Sequence, residues 1–177
     1  MKDFEAHLTE ETTATIYCDL DGVLVDLIGG LSDLYNIPDL NDANFDVHLK
    51  RIKDDLDKNH PNLFATLPWK SDGKKLWAFV AKYNASILSS APRTWLPNAM
   101  IDKNKWVSKN LSPRPRETVI VRGSDQKQKY AVKNGVPNIL IDDYDANITQ
   151  WRAAGGIAIH HKTADESIRQ LKKIMRP

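Results

Sequence analysis

Five short runs of apolar residues most strongly limit what this 177-residue chain can fold into. Ile, Val and Tyr dominate the runs, which are Thr15–Cys18, Ser86–Leu88, Thr118–Val121, Asn138–Ile141 and Gly156–Ile159. Nearly uninterrupted runs of this length are typical of strands that are buried on both faces. Strands that alternate with helices form parallel sheets. The pattern therefore predicts an α/β fold, a three-layer, doubly wound parallel sheet of about five strands.

Helical patterns separate and follow these runs. They cover Leu27–Tyr35, Asn44–Leu56, Lys74–Lys82, Ala99–Lys109, Gln126–Asn134, Ala146–Ala154 and a last helix that opens at the capping box Thr163-Ala-Asp-Glu166. Asn98 and Asp145 are expected to cap two of them. Gly135 and Pro137 are expected to end the helix that begins at Gln126.

The stretch between the first and second runs is longer than one crossover helix needs. We interpret Ile28–Pro68 as a small helical insertion placed directly after the first strand. The predicted domains are a core of residues 1–27 and 69–177 and a cap of residues 28–68.

Charge and composition exclude several classes of protein. With 25 Lys and Arg against 23 Asp and Glu, the net charge is +2, too small to predict strong nucleic-acid binding. Cys18 is the single cysteine, the first residues are polar, and no apolar run has the roughly 20 residues of a membrane span. We therefore expect a cytoplasmic protein that does not bind membranes.

Two acidic pairs follow predicted strands. Asp19 and Asp21 leave the first strand, and Asp142 and Asp143 leave the fourth. The carboxyl ends of parallel strands share one edge of a sheet, where ligands bind in open α/β folds. Four acids at one edge repel each other, and hard oxygen ligands suit Mg²⁺. The pattern predicts a magnesium site, although each pair alone is also compatible with an ordinary turn or helix cap.

Two further groups of residues could contact a phosphate. The second predicted strand ends in Ser89 and Ser90, whose hydroxyls can donate hydrogen bonds. Lys127, Lys129 and Lys133 follow the third, and one of them could neutralise a phosphate while the others are solvated.

In chain order these features resemble the four motifs of the haloacid dehalogenase (HAD) superfamily, from about Thr15 to His161. The residues that carry the resemblance are Asp19-x-Asp21-Gly-Val-Leu-x-Asp26, a strand-terminal serine, a later lysine and Asp142-Asp143. Within that superfamily the chain is most similar to the 5′(3′)-deoxyribonucleotidases of bacteriophages and bacteria. That similarity comes from the short insertion, Phe64-Ala-Thr-Leu67-Pro68, Lys105-Trp106-Val107 and Leu-Ile-Asp142-Asp143-Tyr.

The resemblance implies a role for each motif. Asp19 would be the nucleophile, and Asp21 would be the general acid and base. Ser89, with Ser90 beside it, would hold the phosphoryl oxygens, and Lys127 would neutralise charge. The Mg²⁺ site would consist of Asp142 and Asp143, Asp19 and the carbonyl of Asp21. Ser89 stands where the group usually has Thr, and the spacing leaves Lys129 as an alternative to Lys127.

The expected function is Mg²⁺-dependent hydrolysis of a small phosphate monoester, a (deoxy)nucleoside monophosphate, through an aspartyl-phosphate. The candidate substrate-binding residues are Phe64, Trp69 and Arg93. The two aromatic side chains suit a nucleobase. A polynucleotide 3′-phosphatase or a sugar-phosphate phosphatase would use the same chemistry. A receiver-like phosphoacceptor module is the alternative that is not an enzyme, although the order of the acids along the strands disfavours it.

Overall fold

The structure, a computed structural model, describes residues 13–175. Its strands are β1 (Ile16–Cys18), β2 (Ser86–Ala91), β3 (Thr118–Arg122), β4 (Val132–Lys133), β5 (Val136–Pro137), β6 (Ile139–Asp142) and β7 (Ile157–His160). Its helices are α1 (Leu27–Tyr35), α2 (Phe45–Asn59), α3 (Leu63–Thr66), α4 (Gly73–Val80), α5 (Ala99–Asn110), α6 (Asp145–Ala153) and α7 (Ala164–Ile174), with 3₁₀ turns at Ala81–Tyr83 and Ser124–Tyr130. None of these helices is long and apolar enough to cross a membrane.

Five strands form one parallel sheet in the order β3-β2-β1-β6-β7. All three residues of β1 are buried, as are all four of β6, because helices cover both faces of the sheet. The predicted α/β, Rossmann-like fold is therefore confirmed. The chain moves outward from β1 to β3 and then returns to β6 on the other side of β1. This reversal leaves a crevice at the carboxyl ends of β1 and β6.

The insertion, residues 28–68, is helical as predicted. Its helices bury Leu31, Leu56 and Phe64 in the same hydrophobic core as the strands. Its two ends are joined at the sheet, where the amide of Asp26 donates to the carbonyl of Pro68 at 2.9 Å. That it constitutes a separate cap domain remains a prediction.

Strand β2 is longer than predicted. Ser89 and Ser90, expected at the end of this strand, pair with Ile120 and Val121 of β3, and Ala91 ends the strand. Small polar residues obscure a strand in an apolar pattern, and pairing with β3 extends it.

The predicted helix Gln126–Asn134 is wrong. A 3₁₀ turn ends at Tyr130, and the next residues form the β4–β5 hairpin. Asn134 and Gly135 both have positive φ, 52° and 77°, as the central residues of a tight hairpin turn require. Asn138 stabilises this arrangement by donating to the carbonyls of Tyr130 and Ala131, each at 2.8 Å. Gly135 is therefore a turn residue and not a helix terminus.

Candidate active site

The acidic residues meet at the crevice beside β1. Asp19 directly follows β1, and its amide donates to the carbonyl of Ile141 in β6 at 3.0 Å. One carboxylate oxygen from each of Asp19, Asp142 and Asp143 lies within 4.8 Å of the others. The first and last predicted motifs are thus brought together by the pairing of two neighbouring strands.

A buried lysine contacts two of these acids. The ammonium of Lys127 lies 2.9 Å from Asp19 and 2.7 Å from Asp142, and the residue is 1% exposed. Burial alone would lower the pKa of Lys127, but the charges of Asp19 and Asp142 raise it, so the side chain stays protonated. Lys129 is exposed, so Lys127 is the lysine that reaches this site.

Asp142 is held by several donors. Its carboxylate accepts from the amide of Tyr144 at 2.9 Å and from the side chain of Asn147 at 3.1 and 3.0 Å. Burial and the charge of Asp19 raise its pKa, and Lys127 opposes that rise. The sequence interpretation missed Asn147, which lies in the first turns of α6 and is directed to the site by that helix.

Asp143 is the least compensated carboxylate of the three. Burial, followed by the charges of Asp19 and Asp142, raises the pKa of Asp143 to about 7. Gly22 leaves space for it, because a Cβ there would overlap the Asp143 carboxylate. Within the described residues, Lys127 pairs with Asp19 and Asp142, and Asp143 forms no ion pair. Oxygen ligands with excess negative charge fit a hard divalent cation such as Mg²⁺.

Asp21 faces a second buried lysine. Lys103 is 1% exposed and forms an ion pair with Asp21. Its ammonium is 3.1 Å from the hydroxyl of Ser89 and 4.6 Å from the centre of the Phe64 ring. Burial raises the pKa of Asp21, and Lys103 opposes the rise. A carboxyl group with a raised pKa retains its proton more readily, as a general acid requires.

Lys103 is absent from the residues that sequence reasoning selected. Several lysines occur in α5, and exposed lysines on helices are common. The available signal was its spacing from Ala99, Trp106 and Val107, which places it on the buried face of α5. A lysine on an apolar helix face requires a partner, and here the partner is Asp21.

A cavity of about 260 Å³ opens next to Asp21. Most of its lining is apolar, and the lining residues are Asp21, Leu27, Leu31, Phe45, Leu49, Leu63, Phe64, Ser90, Ala91, Pro92, Trp95, Gly123 and Ser124. Ser90 therefore faces the cavity, whereas Ser89 faces Lys103. The helices of the insertion form one wall, and the loop after β2 forms another.

The three residues expected to bind substrate lie in different parts of the structure. Phe64 lines the cavity. Arg93 pairs with Asp125 at the exposed rim. Trp69 does not line the cavity but packs against Trp106, with ring centroids 4.9 Å apart, and donates to Asn110 at 3.3 Å.

The orientation of Trp69 has a local cause. Trp69 forms an antiparallel bridge with Val25, which directs its side chain towards α5. Trp69 therefore lies outside this cavity, and its contact with substrate stays a prediction. Trp95, in the loop after β2, lines the cavity instead.

The fold recurs in known structures. A Thermotoga maritima protein provisionally assigned as a beta-phosphoglucomutase is 13% identical, with 92% of this chain and 100% of that chain covered and a TM-score of 0.52. A HAD family enzyme from Bacteroides thetaiotaomicron is 15% identical, with coverages of 86% and 95% and a TM-score of 0.51. A HAD-superfamily hydrolase from Ehrlichia chaffeensis is 9% identical, with coverages of 94% and 99% and a TM-score of 0.50.

At identities this low, the structural similarity shows a common fold and no shared activity or substrate. No family model matches the chain, and no curated protein matches it.

Proposed function

We propose that this protein is a HAD-type phosphatase that hydrolyses a small phosphate monoester, a (deoxy)nucleoside monophosphate, through an aspartyl-phosphate. The observation that carries the proposal is the arrangement of Asp19 and Asp21 at the end of β1. Each of these acids faces its own buried lysine, Lys127 and Lys103. Two carboxylates with separate cationic partners suit a nucleophile and a proton donor in phosphoryl transfer.

In the first step a carboxylate oxygen of Asp19 attacks phosphorus. The bond between phosphorus and the ester oxygen breaks, and the phosphoryl group is transferred to Asp19. The amide of Leu20 orients the nucleophile by donating to its other oxygen at 2.7 Å. The leaving alkoxide takes a proton from Asp21, whose raised pKa favours the protonated form. Lys103 contacts both Asp21 and Ser89, so its ammonium and the Ser89 hydroxyl can donate to the phosphoryl oxygens.

In the second step water attacks the phosphorus of the aspartyl-phosphate. Asp21, now ionised, accepts a proton from that water, and the bond between phosphorus and Asp19 breaks. Inorganic phosphate leaves, and both aspartates return to their starting states. Lys127 neutralises charge beside Asp19 throughout.

The carboxylates of Asp19, Asp142 and Asp143, with the carbonyl of Asp21, are proposed to hold Mg²⁺. When bound, the cation reduces the repulsion between the attacking carboxylate and the phosphate dianion. Lys127 and Asn147 hold Asp142 in place for this purpose.

The cavity supports a substrate with a flat, partly apolar leaving group. Apart from Asp21, the polar side-chain groups among its lining residues are the hydroxyls of Ser90 and Ser124 and the indole N–H of Trp95, whereas a sugar alone would need partners for several hydroxyls. Phe64 and Trp95 can contact a nucleobase. A volume of about 260 Å³ has room for one group of nucleobase size. The insertion then acts as a cap that determines substrate specificity.

The test is phosphate release from nucleoside monophosphates, sugar phosphates and 3′-phosphorylated oligonucleotides, with Mg²⁺ and with chelator. We expect the nucleoside monophosphates to have the highest kcat/KM, and chelation to abolish turnover. Asp19→Asn should be inactive, and Asp21→Asn should be severely impaired, because both steps lose their proton donor or acceptor. Turnover by folded Asp19→Asn would overturn the mechanism, and a preference for oligonucleotide ends would favour the polynucleotide 3′-phosphatase.

A further inference from the structure

One carboxylate connects the insertion to the loop between β2 and α5. Asp57, in the last turn of α2, accepts a hydrogen bond from the backbone amide of Leu96. A carboxylate near the C-terminal end of a helix is unfavourable, since that end carries partial negative charge. Helix stability therefore does not explain an acid at this position, whereas the hydrogen bond to Leu96 does.

The residue that receives this contact has a strained backbone. Leu96 has a φ of 47°, in the left-handed region, which costs a residue with a Cβ about 1–2 kcal/mol. Its side chain is 1% exposed, and its carbonyl accepts from the amide of Ala99 at 2.9 Å where α5 begins. Burial of the side chain and the hydrogen bond to Asp57 together hold the loop in this conformation.

The same loop forms one wall of the cavity. Trp95 precedes Leu96 and lines the cavity together with Pro92, opposite the insertion. On its other side the loop is attached through the exposed pair of Arg93 and Asp125. That ion pair is exposed and contributes little to stability, whereas the hydrogen bond that Asp57 accepts is partly buried and comes from the backbone of the loop itself.

We propose that Asp57 is a positioning residue that keeps Trp95 against the cavity and thereby sets the affinity for a leaving group with a flat ring. The inference rests on the proposed function and adds a determinant of substrate selectivity to it. Asp57 acts through the amide of Leu96 and does not itself line the cavity. Without the hydrogen bond Leu96 can leave the left-handed region, and substrate binding must then order the loop again.

The first measurement follows the contact itself. Asp57→Ala, Asp57→Asn and the control Asp54→Ala are compared by residue-resolved amide hydrogen exchange. Asp54 is exposed on the same helix, and its side chain forms no hydrogen bond or ion pair with any of residues 13–175. Asp57→Ala should speed exchange at Leu96 about tenfold, Asp57→Asn less because its amide oxygen still accepts, and Asp54→Ala not at all. Unchanged exchange in Asp57→Ala would disprove the attachment.

The second measurement follows selectivity. For a pyrimidine nucleoside monophosphate, Asp57→Ala should raise KM about tenfold and leave kcat within about twofold. KM for glycerol phosphate, which has no ring, should not change, and Asp57→Asn should restore most of the nucleotide affinity. Equal changes for both substrates would overturn the proposal. Failure of the proposed function itself would be recognised separately, because the wild-type protein would then release phosphate from neither substrate.

Discussion

The ammonium group of Lys103 lies between the carboxylate of Asp21 and the hydroxyl of Ser89, almost completely removed from solvent. A helix thereby supplies a cation to an acid that follows β1 and to a hydroxyl in β2. The cation limits the rise in the pKa of Asp21 that burial causes. In the proposed mechanism it also donates to the phosphoryl group, which would bind beside Ser89.

We expect Lys103→Met to lower kcat/KM by about 100-fold or more, because one preorganised donor to the transferring group is lost. Burial of Asp21 without its cation should also raise the pKa of that carboxyl further, because the opposing charge is gone. Asp21 must be protonated to act as the acid in the first step, so the pH at which kcat/KM declines on the alkaline side should move upward. Steady-state kinetics over a range of pH would measure both effects.

The matched control is Lys109→Met, an exposed lysine on the same helix. It should leave kcat/KM and the pH profile unchanged. If both variants had the same kcat/KM and pH profile, the position of Lys103 beside Asp21 would have no role in activity.

Two glycines have nearly the same φ, so substitutions at both can distinguish the effect of backbone strain from the effect of a displaced Asp143 carboxylate. Gly22 has a φ of 75° and Gly135 a φ of 77°, so alanine at either costs about 1–2 kcal/mol in unfolding free energy. Only at Gly22 would the new Cβ overlap a neighbour, the carboxylate of Asp143, which must then turn away. Gly22→Ala should raise the Mg²⁺ concentration needed for half-maximal thermal stabilisation about tenfold. Gly135→Ala should leave it unchanged, and an equal increase in both would exclude a role of Asp143 in metal binding.

The sequence was sufficient to predict the strands and the acids at their ends. Short apolar runs identify buried strands, and parallel strands carry whatever follows them to one edge, so Asp19 and Asp142 could be placed together. The roles of these residues remain predictions.

Features that depend on distant contacts could not be predicted in this way. The β4–β5 hairpin requires Asn138, which pairs with residues earlier in the chain. Lys103 reaches Asp21, 82 positions earlier in the chain, only because the fold brings α5 next to the end of β1. The direction of Trp69 follows from its bridge to Val25, which residue type does not reveal.

Metal-free protein should be stabilised by Asp143→Asn at high pH. The folded-state pKa of Asp143 is raised to about 7, above an unfolded value of about 3.9. Between these values the folded state binds more protons, so the unfolding free energy falls as pH rises through this window. Above pH 7 Asp143 is ionised in the folded state, so its buried charge has its full destabilising effect. Asparagine carries no charge and removes that effect.

We expect a gain on the order of 1–2 kcal/mol at pH 8 with chelator present, since partial exposure of Asp143 weakens the effect. The gain should shrink towards pH 5. Urea denaturation at both pH values would measure it. Saturating Mg²⁺ should abolish the difference or reverse it, and a gain that does not vary with pH would rule out the carboxylate charge as its cause.

Trp95 and Trp69 form a natural pair for testing which aromatic residue contacts the substrate. Trp95 lines the cavity beside Asp21, whereas Trp69 packs against Trp106 and donates to Asn110. Trp95→Ala should raise KM for nucleoside monophosphates by about tenfold or more, since stacking on a base is worth about 1–3 kcal/mol. It should leave KM for glycerol phosphate almost unchanged. Trp69→Ala should instead lower the unfolding free energy by about 2–3 kcal/mol, because it empties a partly buried site against α5.

The two variants thus have opposite expected profiles, one in substrate affinity and one in stability. Kinetics with both substrates and urea denaturation of each variant would separate them. If Trp69→Ala raised KM for nucleotides selectively and Trp95→Ala did not, the base would bind between the insertion and α5. The cavity lined by Phe64 would then not be the substrate pocket, and Asp57 would lose its proposed effect on selectivity as well. If instead the effects divide as expected, the loop after β2 is a determinant of substrate choice, and the insertion contributes through Phe64 and the apolar wall opposite Trp95.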